Sequence, residues 1–302
     1  MNQLDQLAAV AEQAGCTVLR DEPMMRHTTF KIGGPADLFI TIYDCAGAQQ
    51  VYHTAYELEI PVLPIGNGSN MLVSDAGIRG AVVAFAGNFG AVSLAGETEI
   101  EAGVGATLAQ VCAFAQEHSL TGLEFAWGIP GAVGGAAYMN AGAYDGVMKD
   151  VITACTHVTK EGEVGTLRGD ELEFGYRHSA YTDNGSTILS ARFSLRKGEK
   201  DQIRRVMDDL YSRRKSKQPL ELPSAGSVFK RPPGHFAGAL IEGCGLKGKR
   251  FGGAMVSEKH AGFIVNVGGA TCDDVLKLID YIKETVFRQT GVMLECEVRI
   301  FR

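Results

Sequence analysis

Residues 61–83, PVLPIGNGSNMLVSDAGIRGAVV, constrain the fold most tightly, because an apolar run ends in GNGSN and two further apolar runs follow at once. Gly66 and Gly68 admit positive φ and leave no Cβ in the way. Successive backbone N–H groups from Ile65 through Gly66, Asn67, Gly68, Ser69 and Asn70 can then converge on one anion, with side-chain donors from Ser69 and Asn70. The same residues also make ordinary turns. The stretch is not a Walker loop, since no Gly-Lys-Ser or Gly-Lys-Thr follows. It is not a Rossmann fingerprint either, since a strand-like run rather than a helix comes next.

A second glycine-rich stretch, GLEFAWGIPGAVGGAAYMNAGAYDG at 122–146, carries almost no charge. Glycine at this density costs conformational entropy on folding and gives up side-chain packing, so something approaches this backbone closely. Either the stretch is a tight junction between packed elements, or the two loops together wrap a large, flat, phosphate-bearing cofactor, with Tyr138, Asn140 and Tyr144 interleaved. Trp127, the single tryptophan, either flanks such a ring system or packs in the core.

At 302 residues, 45% hydrophobic and 21% charged, the chain has the composition of a globular protein of two or three domains. A formal net charge of -6 argues against nucleic-acid binding, which calls for clustered Lys and Arg. Basic residues cluster only locally. Those at 204–217 read as a solvated helix face, and those at 247–250 as either a solvated patch or a lip over an anionic ligand. The seven cysteines lie no closer than 24 positions apart, which leaves no CxxC motif and predicts reduced, mostly buried thiols in a cytoplasmic protein. The seven histidines show no metal-ligand spacing, so no metal is expected. No apolar run reaches the ~18 residues of a membrane span, and the opening residues read as an amphipathic helix rather than a signal peptide.

Apolar spacing predicts helices over 2–14, 46–58, from Leu108 to Leu120, over 200–217 and over 272–288. Strand patterns fall at 38–42, before GNGSN, at 81–84, 99–102 and 187–193, in a hairpin over 156–167, and in the closing run MLECEVRIF. The strand–helix–strand order ahead of GNGSN favours a small parallel unit with its loop at a strand's carboxyl end. The loop 217–238 is rich in proline and glycine, which suggests a held geometry.

Several side chains have the chemistry of a site. Arg177, near the end of a strand-like run in FGYRHSAY, offers five fixed donors suited to a carboxylate or a developing enolate, or else a surface ion pair. Glu297 lies in the closing strand pattern, as a half-buried proton-bearing carboxyl or a solvent-facing one. Ser227 has no GxSxG elbow around it, but Lys230 and Arg231 beside it suit an anionic substrate. His260 is either a core histidine or part of a site.

Taken together, TTFKIGGPAD, GNGSN, GLEFAWGIPGAVGGAAYMNAGAY, YRHSAY, GSVFKRP, KHAGFIVN and LECEVR resemble, in order and spacing, the UDP-N-acetylenolpyruvoylglucosamine reductases (MurB) of bacterial peptidoglycan synthesis. The resemblance covers nearly the whole chain. It implies an α+β protein with an FAD-binding fold of the vanillyl-alcohol-oxidase (PCMH) type in two subdomains, plus a C-terminal α+β substrate domain. The expected boundaries are 1–79 for the first FAD-binding subdomain, with 292–302 returning to it, 80–199 for the second, and 200–291 for the substrate-binding domain. It further implies non-covalent FAD, held by the GNGSN loop and by Gly128, Ile129, Pro130, Gly131, Gly134 and Gly135, with NADPH as co-substrate. The substrate it implies is a UDP-sugar enolpyruvate, and no nucleic acid, membrane insertion or obligatory protein partner is expected. Arg177 and Glu297 would stabilise the enolic intermediate and Ser227 would donate the proton, while Lys230 and Arg231 are candidates for the substrate diphosphate. The fold itself also suits another FAD-dependent oxidase or dehydrogenase acting on a small alcohol or hydroxy acid, or a non-catalytic nucleotide-binding module.

Two departures from the family pattern stand out. Arg231 replaces the Asn of Phe-Lys-Asn-Pro, and the chain passes directly from YRHSAY to the 188 strand, as in a compact branch without the extra tyrosine-bearing loop.

Overall fold

The computed structural model describes residues 2–302. By its internal packing the chain divides into two compact units, each assembled from three separated segments. The first comprises 1–20, 37–67 and 79–213, and the second 21–36, 68–78 and 214–302.

The first unit holds two sheets. One has the strand order Thr17–Pro23, Pro35–Ile42, Ile78–Phe85, Val62–Ile65. Val62–Ile65 runs parallel to Ile78–Phe85, pairing Val62 with Ala81 and Ile65 with Ala84, and so the GNGSN loop does follow a parallel strand. The helices Gln3–Gln13 and Cys45–Glu57 pack on each other. Asn2 and Asp44 cap them, each accepting a backbone N–H. They bury the apolar positions that the sequence spacing marks, Leu7, Ala8 and Ala11 on one, Val51 and Ala55 on the other. The second sheet is antiparallel, in the order Val164–Arg168, Ile152–Val158, Thr187–Ser194, Glu99–Gly103, Val92–Leu94. Burial pushes the Cys112 and Cys155 thiols in this core up to about 12, so both stay protonated and behave as small apolar residues.

The second unit centres on an antiparallel sheet in the order Ser224–Ser227, Phe263–Asn266, Ala254–Val256, Arg250–Phe251, with the helix Cys272–Thr290 against it. That helix buries Val275, Leu278, Ile279, Ile282 and Val286, as its spacing predicts. Thr271 and Asp274 close its N-terminus in a reciprocal capping box, and the Asp75 carboxylate accepts from Cys272 N at 2.9 Å and Asp273 N at 3.3 Å. Phe30, Ile32 and Leu72, from early in the chain, are fully part of this second core.

Three sequence expectations give way. Leu120 lies in the short strand Leu120–Thr121 rather than on the preceding helix, which ends at Glu117 because Ser119 turns left-handed (φ 56). Only Arg299–Phe301 of the closing run is a strand, pairing in parallel with Met71–Val73, so Glu297 does not sit in an alternating strand. Arg177 belongs to a tight turn rather than to the end of a strand. Among the described residues no helix is long and apolar enough to cross a membrane.

Candidate active site

The candidate residues fall into one group in each unit. In the second unit, Ser224–Ser227 pairs with Phe263–Asn266 through a bulge, three steps of one strand from Ser224 to Ser227 against two of the other from Val265 to Phe263. Gly226 absorbs the extra residue at φ 73, where a side chain would be strained. The bulge re-aims the half-buried Ser227, whose Oγ donates to the Phe229 carbonyl at 3.2 Å. Val228 then ties three segments together. Its N–H donates to the Gly262 carbonyl at 2.9 Å, and its own carbonyl accepts from Glu297 N at 2.7 Å and Val298 N at 3.3 Å. Ser227 and Glu297, 70 residues apart in sequence, therefore share one backbone neighbourhood.

Half of the GNGSN loop belongs to the same group. Asn70 Nδ2 donates to the Glu297 carbonyl at 3.3 Å, and Arg299 N donates to the Asn70 carbonyl at 3.0 Å. The Gly68 carbonyl accepts from Thr29 N at 3.2 Å, while Thr29 Oγ1 donates to the Ser224 carbonyl at 2.6 Å. Ser69 O is the one atom near the space that a Gly226 Cβ would take, 3.9 Å away. Gly68 itself has φ 59, and a Cβ there would collide with the His27 carbonyl. Gly68→Ala is expected to lose about 1–3 kcal/mol of stability through strain and to copurify with less FAD. Thermal midpoint and FAD per protein after gel filtration check both parts.

His260 stands beside this group. Its Nδ1 accepts from Gly262 N at 3.1 Å, and a Cβ on Gly262 would lie 3.0 Å from its Cε1 and 3.5 Å from Ser227 Oγ. Burial, the larger cause, and the nearby Lys247 hold its pKa below the usual histidine range, against opposing pulls from a backbone hydrogen bond and Glu242. Lys230 Nζ meets Glu295 at 3.3 Å in an exposed pair worth at most about 1 kcal/mol. The Arg231 guanidinium lies 4.0 Å from the centre of the exposed Phe236 ring. In the 247–250 basic cluster Lys247 pairs with Glu242 at 2.6 Å, and Lys249 lies over the Phe251 and Tyr281 rings.

In the first unit, Ile65 closes its strand and the next two residues lean on the second glycine-rich stretch. Asn67 Nδ2 donates to the Pro130 carbonyl at 3.4 Å, and a Cβ on Gly66 would meet Ala132 Cβ at 3.3 Å. Within that stretch the residues divide by role. Gly131 O accepts from Leu108 N at 3.0 Å and Ile129 N donates to Ala126 O at 3.1 Å, which holds the loop down. Gly134 packs against Val104, whose side chain a Cβ would strike, whereas a Cβ on Gly135 would meet no atom within 4 Å. Packing explains Gly134 and leaves Gly135 to another purpose. Trp127 packs on the first core, with Arg204 5.7 Å from its ring centre.

Arg177 occupies the four-residue turn Gly175–His178, closed by Gly175 N to His178 O at 3.1 Å and His178 N to Gly175 O at 3.3 Å. Its φ of 54 lies in the left-handed region, which costs a non-glycine residue of order 1–3 kcal/mol and persists only where the surroundings enforce it. The guanidinium lies 5.4 Å from the Tyr176 ring centre.

Comparison with known proteins decides the family. A family model described as "UDP-N-acetylenolpyruvoylglucosamine reductase, C-terminal domain" matches residues 218–301, and one described as "FAD binding domain" matches residues 37–168. The UDP-N-acetylenolpyruvoylglucosamine reductase of Latilactobacillus sakei subsp. sakei is 50% identical over 283 residues, 94% of this chain and 93% of that protein. The chain belongs to the UDP-N-acetylenolpyruvoylglucosamine reductase family. A solved member of that family, MurB from Thermus caldophilus, superposes with a TM-score of 0.84 at 36% identity, over 95% of this chain and all of the other. Physcomitrella patens BBE-like 1, at 16% identity and a TM-score of 0.50 over 63% of this chain and 44% of its own, shares the fold alone. This family member is thus an α+β oxidoreductase with an FAD-binding fold of the vanillyl-alcohol-oxidase type.

Its residues fit the flavin dinucleotide. Among the described residues, the backbone N–H groups of Asn67, Gly68 and Ser69 have no acceptor within the protein, and neither 65–70 nor 128–135 contains a carboxylate. Uncharged backbone with unspent donors is what a pyrophosphate requires. Sequence reasoning missed Val228, His260 as a neighbour of Ser227, and the side-chain hydrogen bonds of Asn140, described below. Val228 and His260 lie inside motifs quoted for the family, but their contacts are tertiary.

Proposed function

We propose that the protein catalyses the NADPH-dependent reduction of UDP-N-acetylglucosamine enolpyruvate to UDP-N-acetylmuramate, for peptidoglycan synthesis in the cytoplasm. The observation that carries this reading is the identity of 50% with a reductase of that name over nearly the full length of both chains. The hydrogen bond from Glu297 N to the carbonyl of Val228, the residue after Ser227, supports it. Non-covalent FAD, when bound, supplies the carrier that takes a hydride from NADPH and passes it to the β-carbon of the enolpyruvyl group.

The chain's own residues then manage charge and the proton. Ile65–Asn70, with Gly128, Ile129, Pro130, Gly131, Gly134 and Gly135, hold the dinucleotide. As hydride arrives at the β-carbon, negative charge spreads through the α-carbon into the carboxylate. Arg177 stabilises that charge, and Glu297 assists in stabilising the enolic species. Ser227 gives its hydroxyl proton to the α-carbon, which completes addition of H⁻ and H⁺ across the double bond and leaves a lactyl ether. Lys230 and Arg231 bind the substrate's diphosphate. In this reading 1–79 and 80–199 serve the flavin, 200–291 serves the substrate, and no protein partner is required.

The purified protein is expected to be yellow, to release its FAD on denaturation and to be bleached by NADPH under anaerobic conditions. A flavin that stays attached to the denatured chain, or one bleached by a small hydroxy acid and not by NADPH, overturns the proposal in favour of an oxidase of the same fold.

A further inference from the structure

We infer that Asn140 is a positioning residue that fixes the turn bearing Arg177, an inference that rests on the role proposed above for Arg177. Asn140 follows the short helix Val133–Tyr138, whose C-cap is Met139. It lies at φ 43, with its N–H donating to Ala137 O at 3.2 Å and the next N–H, that of Ala141, donating to Ala136 O at 2.8 Å. This is a left-handed helix termination of the Schellman kind, for which glycine is the residue of choice. Asparagine tolerates the conformation, but the backbone alone gives no reason to prefer it.

The side chain supplies the reason. Asn140 is 5% exposed, its Nδ2 donates to the Gly175 carbonyl at 2.8 Å and its Oδ1 accepts from Lys149 N at 2.8 Å. A carbonyl on one side and an N–H on the other allow the amide only one orientation. Gly175 opens the turn that carries Arg177. Just past that turn, the fully buried Ser179 donates from Oγ to the Tyr138 carbonyl at 2.8 Å. Arg177 is thus bracketed two residues before and two residues after by part-buried side-chain hydrogen bonds to one three-residue segment, 138–140. Such a bracket is what keeps a non-glycine residue in the left-handed region, and it couples the end of the glycine-rich stretch to the placement of a guanidinium.

Asn140→Gly separates the two duties of the residue, because glycine keeps the left-handed cap while removing both side-chain bonds. Asn140→Asp keeps the acceptor for Lys149 N but sets a carboxylate oxygen against the Gly175 carbonyl. Both half-reactions are followed in the FAD-loaded enzyme by the flavin absorbance. Asn140→Gly is expected to slow the return of colour with the enolpyruvyl UDP-sugar about 10- to 100-fold, the usual result of misplacing a catalytic group by about 1 Å. Bleaching by NADPH should stay within about twofold of the wild-type rate. Asn140→Asp should behave alike. In an Arg177→Ala background, Asn140→Gly should slow the return of colour no further.

Equal slowing of both half-reactions, or factors that multiply in the double variant, would overturn the inference by showing a general structural role. Should Asn140→Gly fail to retain FAD, Ser179→Ala carries the same test, with a smaller slowing of the same half-reaction and the same lack of effect in the Arg177→Ala background. If Arg177→Ala slows reoxidation and neither Asn140→Gly nor Ser179→Ala does, the bracket is wrong and the role of Arg177 stands. If Arg177→Ala itself changes nothing, both fall.

Discussion

Ser227→Ala should leave the bleaching of the flavin by NADPH at its wild-type rate and slow the return of colour on adding the enolpyruvyl UDP-sugar by about 10²–10⁴-fold, the range typical of a lost general acid. The asymmetry follows from where the proton is needed. Hydride transfer from NADPH requires none from serine, whereas saturating the α-carbon requires one at the moment charge develops there. The substitution is mild for the fold. It deletes one part-buried hydrogen bond, from Oγ to the Phe229 carbonyl at 3.2 Å, worth about 1 kcal/mol. The bulge at Gly226 and the pairing of Val228 with Gly262 and Glu297 are main-chain features and survive it. Stopped-flow absorbance of the two half-reactions, measured separately, checks this. Equal loss in both would remove Ser227 from the role of proton donor.

Replacing Arg177 should slow the same half-reaction by about 10²–10³-fold, the magnitude seen when one group stabilising a developing oxyanion is removed. Here the fold offers a discriminating pair of variants. Arg177→Ala removes the guanidinium but leaves a Cβ at φ 54, while Arg177→Gly removes the guanidinium and also relieves the left-handed strain. Both should be comparably slow with the UDP-sugar, and the glycine variant should have the higher thermal midpoint of the two. Arg177→Lys should recover little, since an ammonium keeps the charge and loses the planar fork of donors. A glycine variant that is as active as wild type would show that Arg177 is a turn residue only.

What the sequence made legible was local chemistry with a period or a motif. The helical faces of Leu7, Ala8 and Ala11 and of Val275, Leu278, Ile279 and Ile282 could be read because burial of one face is written at 3.6-residue spacing. The strand before GNGSN could be read from an apolar run bounded by turn residues, and the motif order carried the family. What stayed hidden is tertiary. MLECEVRIF alternates like a strand, yet 295–298 meets 228–230 mainly through loop hydrogen bonds, with one isolated bridge at Cys296, so pattern alone misplaced Glu297. Arg177 gave no sign of its left-handed backbone, because nothing in FGYRHSAY is glycine at that position. The distinction between Gly134, which packs on Val104, and Gly135, where an added Cβ would meet no atom within 4 Å, is also invisible in GAVGG. TTFKIGGPAD leads into a strand as its pattern suggests, but nothing in it shows that Phe30 and Ile32 join the second core while Leu38, Ile40 and Ile42 of that strand enter the first.

Anaerobic titration gives the most direct test of what this chain does. Enzyme first bleached with one equivalent of NADPH is mixed with UDP-N-acetylglucosamine enolpyruvate, flavin absorbance is followed, and the sugar is recovered. Stoichiometric return of colour together with one equivalent of UDP-N-acetylmuramate is the expected result. Colour that returns only when oxygen is admitted, with the enolpyruvyl sugar recovered unchanged, would contradict it.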